Sequence, residues 1–173
     1  MYLTRFAIIT WLVITHIGHV VIKPDQIKIG AATPTKLFTK LDADEILGSP
    51  VHITDSVSKK DASTSSYLCG FKTDAKDPKS GKIGVIYFLF EAYNNLDDAR
   101  KRYKDVYISN KLHGAVAVDH LGDEALYHTD NQNFDLMMVR KGKYVFNIKV
   151  NKRTSTTSLN ALKKTVKRIT EQI

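Results

Sequence analysis

The densest group of side chains able to do chemistry lies between residues 113 and 128. His113, Asp119, His120, Asp123, Glu124 and His128 all fall within that stretch. Imidazole and carboxylate together can hold zinc or pass protons. His120, Asp123, Glu124 and His128 are the candidate binding residues of this group. Their spacings match no metal-site motif, and side chains so separated can end on different faces of a fold. Gly122 followed by two acids also reads as a turn entering a strand. Neither a metal, a cofactor nor a catalytic residue is therefore assigned. Ser63, Ser65 and Ser66 lack the strand–turn–helix context of a nucleophile elbow, and the chain has no glycine-rich phosphate loop. Tyr87, Phe88, Tyr93, Tyr103 and Tyr107 are accounted for as core or as the buried stripe of a helix.

A second group is electrostatic. The chain carries a formal charge of +8, unevenly spread: residues 33–135 hold 13 Lys/Arg against 16 Asp/Glu, while residues 136–173 hold 10 against one. Lys163, Lys164, Lys167 and Arg168 form one face of a C-terminal helical pattern. Such a face attracts acidic lipid or an acidic partner, or simply keeps the protein soluble. It lacks interleaved aromatics, which argues against single-stranded nucleic acid. The one cysteine, Cys69, permits no intramolecular disulfide and sits in an apolar run, where a buried, inert thiol is expected.

The elements that must position these groups follow from hydrophobic period. Ile83–Ala92 is apolar on both alternating faces, the pattern of a strand covered on both sides. Asn94-Asn95 turns the chain into a helix over 96–110. Asn95 is its cap, its stripe is Leu96, Ala99, Tyr103, Val106 and Tyr107, and Asp97–Lys101 and Asp98–Arg102 are its expected ion pairs. Before it come a short helix opened by Asp42, Asp44 and Glu45 and closed by Gly48, a strand over 51–54, an exposed loop over 55–66, and a strand over 67–71. After it, Ala125–Tyr127 resumes a strand, and 134–139 with 143–150 forms a hairpin. Its expected loop is Arg140-Lys141-Gly142, pairing Met138 with Tyr144, Leu136 with Phe146 and Phe134 with Ile148 so that one face is wholly apolar. Leu159, Leu162, Val166, Ile169 and Ile173 mark a closing amphipathic helix capped by Thr157 or Ser158. The expected architecture is α+β: a largely antiparallel sheet of about six strands with two main helices packed on it, in the order α-β-β-β-α-β-β-β-α.

An N-terminal apolar leader precedes this domain. Arg5 followed by an apolar run reaching Ile22 has the layout of a secretory signal or signal-anchor over residues 1–22. The run of about 17 residues is at the lower limit for a bilayer span. Gly30-Ala31-Ala32 would serve for cleavage but lies beyond Lys23, Asp25 and Lys28. No cysteine follows the run, so lipoprotein anchoring is excluded. Residues 23–38, with Pro24 and Pro34, read as a linker, and 39–173 as a single domain.

Several short features are similar together to a known group. They are Leu47-Gly48-Ser49-Pro50-Val51, Tyr67-Leu68-Cys69, Leu121-Gly122-Asp123-Glu124-Ala125, and Val139-Arg140-Lys141-Gly142 leading into a hairpin and a closing helix. This succession resembles exported bacterial sensor-like and lipoprotein domains of mostly unknown function, with a PsbP/Mog1-type α/β/α sandwich. The resemblance implies fold and export but brings no catalytic residues. The resulting expectation is a non-enzymatic domain at the cell envelope, exported or tethered through residues 6–22, that binds a protein or small-molecule ligand. The alternative is a small envelope enzyme or metal-binding protein using His120, Asp123, Glu124 and His128.

Overall fold

The computed structural model describes residues 33–173 and the backbone of residues 20–22. The leader expected over residues 1–22 therefore lies outside the described residues, except for Val20–Ile22. Those three form strand β1, antiparallel to residues 58–60.

The chain then runs α1 (Pro34–Leu37), α2 (Lys40–Leu47), β2 (Val51–Lys60), β3 (Thr64–Thr73), β4 (Val85–Tyr93), α3 (Leu96–Lys111), β5 (Val116–Ala117), β6 (Glu124–Thr129), β7 (Asp135–Lys141), β8 (Tyr144–Lys152) and α4 (Leu159–Gln172). The strands form one antiparallel sheet in the order β1-β2-β3-β4-β8-β7-β6-β5. Two meanders meet where β4 lies beside β8, and α3 carries the chain from β4 to the far edge.

The α+β class and the antiparallel sheet agree with the hydrophobic pattern. The number and extent of the strands do not, because eight form where about six were expected. Val116–Ala117 adds a two-residue edge strand, and Val20–Ile22 adds the other edge. Most of the run 55–66, read as a loop for its Ser, Lys and Asp content, is strand. β2 continues through Lys60, and Asp61 turns the chain by accepting from the backbone N–H groups of Ser63 (2.8 Å) and Thr64 (2.7 Å). A strand near the sheet edge needs few apolar side chains, because the ladder to β3 satisfies its backbone groups.

The sheet is covered on both faces. On one, Tyr67, Cys69, Phe88, Phe90, Phe146, Ile148, Met137 and Val139 pack under α2 and α4, through Ala43, Ile46, Leu47, Leu162, Val166 and Ile169. On the other, Ala99 and Tyr103 of α3 pack on Leu126, Met138 and Val145. Leu37 and Phe38, which the sequence reading placed in the linker, are fully buried in the first layer. The Phe38 ring lies 5.2 Å from that of Phe88 and 5.9 Å from that of Phe71.

Cover on both faces also explains a correction to the β7–β8 hairpin. Lys141 pairs with Tyr144, Val139 with Phe146 and Met137 with Ile148, so the loop is Gly142-Lys143 and not Arg140-Lys141-Gly142. The expected register gathered Met138 and Leu136 with Phe146 and Ile148 to make one apolar face. Because α3 covers the opposite face, Met138 is buried there and Leu136 partly buried beside it. The turn has its left-handed residue first, at Gly142 (φ 56°), as type II′ hairpins do.

The helix termini follow the local signals. Thr39 and Asp42 form a capping box at α2, Asn95 Oδ1 accepts from the Asp98 N–H (2.9 Å) at α3, and Ser158 Oγ accepts from the Ala161 N–H (3.1 Å) at α4. The expected pairs Asp97–Lys101 and Asp98–Arg102 are replaced. Lys101 meets Asp105 at 2.7 Å, and Arg102 reaches Glu91 on β4 at 3.1 Å. Tertiary packing thus gave Arg102 a carboxylate more sheltered from solvent screening than its own helix offered.

Candidate ligand-binding cleft

The cleft is built from two elements on the α3 side of the sheet. One is the middle of α3, which presents Tyr103 and Tyr107 one turn apart. The other is the connection from β5 to β6 with the strand residues that flank it, 117–125. Together they enclose a cleft of about 320 Å³ lined by Tyr103, Tyr107, Val118, Asp119, His120, Leu121, Asp123 and Glu124, among others. That volume is at the small end of the range for ligand sites, roughly 300–1,000 Å³.

The loop is held in place from below. Gly122 has φ +65°, and a Cβ there would sit 2.6 Å from Val139 Cγ1 and 2.7 Å from the Arg140 carbonyl oxygen, so only glycine lets the loop lie against β7. The Asp123 N–H donates to the Arg140 carbonyl (2.9 Å), and Asp123 Oδ2 accepts from the Gly142 N–H (2.8 Å). Arg140, its side chain only 5% exposed, donates Nη1 to Asp123 Oδ2 (2.7 Å) and Nε to Glu124 Oε2 (2.5 Å). The Gly142 N–H, helped by the Arg140 guanidinium, holds the Asp123 carboxyl below its ordinary range. Burial pushes the Tyr103 phenol up to about 12, and the Glu124 charge adds to the effect. Tyr103 is 5% exposed, yet its hydroxyl makes no hydrogen bond among the described residues. The Tyr103 and Tyr107 rings stack with centroids 6.2 Å apart and planes 10° apart, and Lys111 Nζ lies 5.7 Å from the Tyr107 centroid.

The four candidate residues do not converge. His120 (φ 59°), Asp123 and Glu124 border the cleft, whereas His128 does not. On β6 it follows Glu124 by four residues, roughly 13 Å along the strand. Its Nδ1 meets Asn110 Oδ1 at 2.9 Å and its Nε2 meets the His113 carbonyl at 2.9 Å. His128 therefore pins the end of α3 to the sheet, with Phe134 edge-on to its ring at 4.9 Å. His113 enters this arrangement through its backbone carbonyl. Among the described residues no three His, Cys, Asp or Glu side chains are grouped to hold a metal ion.

Three residues have roles at the cleft that the sequence pattern does not show, two lining it and one lying beneath it. Tyr103 and Tyr107 belong to the helix stripe, as their spacing implies, and also line the cleft. Arg140 was placed in a loop. Its role was legible only through the pairing of Glu124 with Arg140 across β6 and β7, which needs the register.

The basic face of α4 is less free than its sequence implies. Arg168 meets Asp42 at 2.7 Å and donates to the Leu37 carbonyl, Lys164 lies 3.5 Å from Glu45, and Lys167 lies 4.0 Å from Glu171. Lys163 has no such partner among the described residues. Cys69 is fully buried, its thiol pushed up to about 12 by desolvation, as expected of an inert cysteine.

In comparison with known proteins, no family model matches the chain, and neither a curated protein nor a solved structure matches it. Among the described residues no helix is long and apolar enough to cross a membrane.

Proposed function

We propose that this protein is a non-enzymatic binding domain whose ligand site is the cleft between α3 and the 117–125 loop, and that it works at the cell envelope, exported or tethered through residues 6–22. The observation that supports the site is a division of labour among its polar groups. Asp123 and Glu124 are tied to Arg140, and both ring nitrogens of His128 are occupied, so these groups serve the scaffold. Asp119, His120 and the Tyr103 hydroxyl border or line the cleft without partners among the described residues, which suits contact with a ligand. Export rests on the apolar run after Arg5. The likeness to the PsbP/Mog1-type sandwich stays a proposal about ancestry, resting on the short motifs named above.

The site is tested by titrating a library of small charged, polar and aromatic fragments into isotope-labelled protein and following the amide resonances. Binding should cluster at residues 117–125 and at Tyr103 and Tyr107. Binding confined to other surfaces would overturn the assignment. Export is tested by a reporter fused after Ile173: activity in the cytoplasm alone refutes it.

A further inference from the structure

We propose that the cleft takes a protonated amine on a short apolar stem, the ammonium lying between Asp119 and the Tyr103–Tyr107 pair and the stem lying along Val118, Leu121 and Ala125. The inference rests on the reading of the cleft as a ligand site and names the chemistry of its ligand.

Three features converge on a cation. First, the cleft is bordered by three carboxylates, Asp119, Asp123 and Glu124. Arg140 engages Asp123 and Glu124 from beneath, Lys141 also acts on Asp123, and Lys111 lies beside Tyr107, so that Asp119 alone of the three has no hydrogen-bond or ion-pair partner among the described residues. Second, Tyr103 and Tyr107 both line the cleft, and an ammonium that reaches the face of either ring is attracted electrostatically. The chain already uses this attraction, with the Lys111 ammonium 5.7 Å from the Tyr107 centroid. Third, the Tyr103 hydroxyl belongs to a side chain that is 5% exposed, lines the cleft and has no partner within the described chain. A phenol oxygen can accept a hydrogen bond from an N–H donor, so an ammonium would satisfy it.

The remaining lining decides what kind of cation. Val118, Leu121 and Ala125 are aliphatic and suit a hydrocarbon stem. A cleft of about 320 Å³ has room for a group the size of a lysine side chain. A bare metal ion fits less well, because the described residues group no three ligands for one and Arg140 already occupies two of the carboxylates.

The test uses matched probes on the full chain: N-acetyl-lysine methylamide, its norleucine and glutamate counterparts, and 1,5-diaminopentane. Each is titrated at millimolar concentrations while the amide and tyrosine-ring resonances are followed. The lysine probe is expected to shift residues 117–125, Tyr103 and Tyr107, and to bind at least about fivefold more tightly than the norleucine probe. Asp119→Asn should remove most of that margin, and Tyr103→Phe, which keeps the ring, should reduce it. Diaminopentane as tight as the lysine probe identifies free amines as the source; a clear advantage for the lysine probe identifies a lysine side chain of a partner protein. Norleucine or glutamate binding as tightly at the same residues overturns the cation and leaves the cleft standing. So does a lysine margin untouched by Asp119→Asn. Probes that leave 117–125, Tyr103 and Tyr107 unshifted overturn the site as well.

Discussion

At the scale of single residues, the Asp123–Arg140–Glu124 cluster shows how a candidate for chemistry becomes a fastening. An acid with its carboxylate held by a backbone N–H and a guanidinium is stabilised in its charged form, so its proton is bound more weakly in the folded chain than in the unfolded one. The sign of the consequence is fixed. At neutral pH both states are ionised there, and the contribution to stability is complete. As pH falls below about 4, the unfolded chain takes up the proton first and the contribution declines. Asp123→Asn should therefore be less stable than the parent at pH 7, with the gap narrowing as pH falls through that range. Urea denaturation of both proteins across pH measures it, and a gap independent of pH would show that Asp123 acts only by shape. The same cluster predicts that Arg140→Lys destabilises the fold. Lysine has the charge but not the planar fork that reaches two carboxylates and the Gly142 carbonyl together.

At the scale of elements, the 117–125 loop is shaped by contact with β7 as much as by its own residues. Gly122 and Gly142 both have positive φ, but only Gly122 has neighbours within reach of a side chain. Gly142→Ala should cost about 1 kcal/mol, the conformational term alone. Gly122→Ala adds a clash with Val139 and the Arg140 carbonyl and should cost about 2–3 kcal/mol. It should also move the resonances of Asp119 and His120, because the loop can relieve the clash only by lifting away from β7. Equal costs at the two glycines would mean that the loop is not seated as described. The local signals at helix starts were legible because a cap needs only residues close in sequence. The hairpin register was not, because it depends on whether a helix 40 residues earlier covers the second face of the sheet.

At the scale of the whole molecule, the order of packing places the boundary of the domain. Phe38 falls in a stretch that reads as linker, since Pro34 and the surrounding Thr and Lys residues dominate it. In the fold its ring is fully buried against Phe71 and Phe88 at the centre of the larger core. Phe38→Ala should lower stability by about 3–4 kcal/mol, as the removal of a buried aromatic does. Chemical denaturation gives the value, and a loss under about 1 kcal/mol, typical of surface sites, would return residues 34–38 to the linker. The electrostatic asymmetry of the chain is likewise a property of the whole. The basic final helix lies beside the acidic α2, and Asp42 and Glu45 take up two of the cations that the sequence presents as a free face.

The sequence by itself determined the α+β class, the central β4 with apolar residues on both faces, the two main helices with their N-caps Asn95 and Ser158, the short helix closed by Gly48, and the burial of Cys69. Each of these depends on period, on local capping or on a run of apolar residues, and so on interactions a few positions apart. Only the tertiary structure decided which ionisable groups share a site. Glu124 and Arg140 meet through a strand pairing, His128 is drawn to the end of α3 by Asn110 and the His113 carbonyl, and Tyr103 meets the 117–125 loop through the packing of a helix on a sheet. The grouping of His120, Asp123, Glu124 and His128 by proximity in sequence thus survives in part. Three of them border one cleft, and the fourth became a pin, because four residues along a strand is a distance no side chain spans.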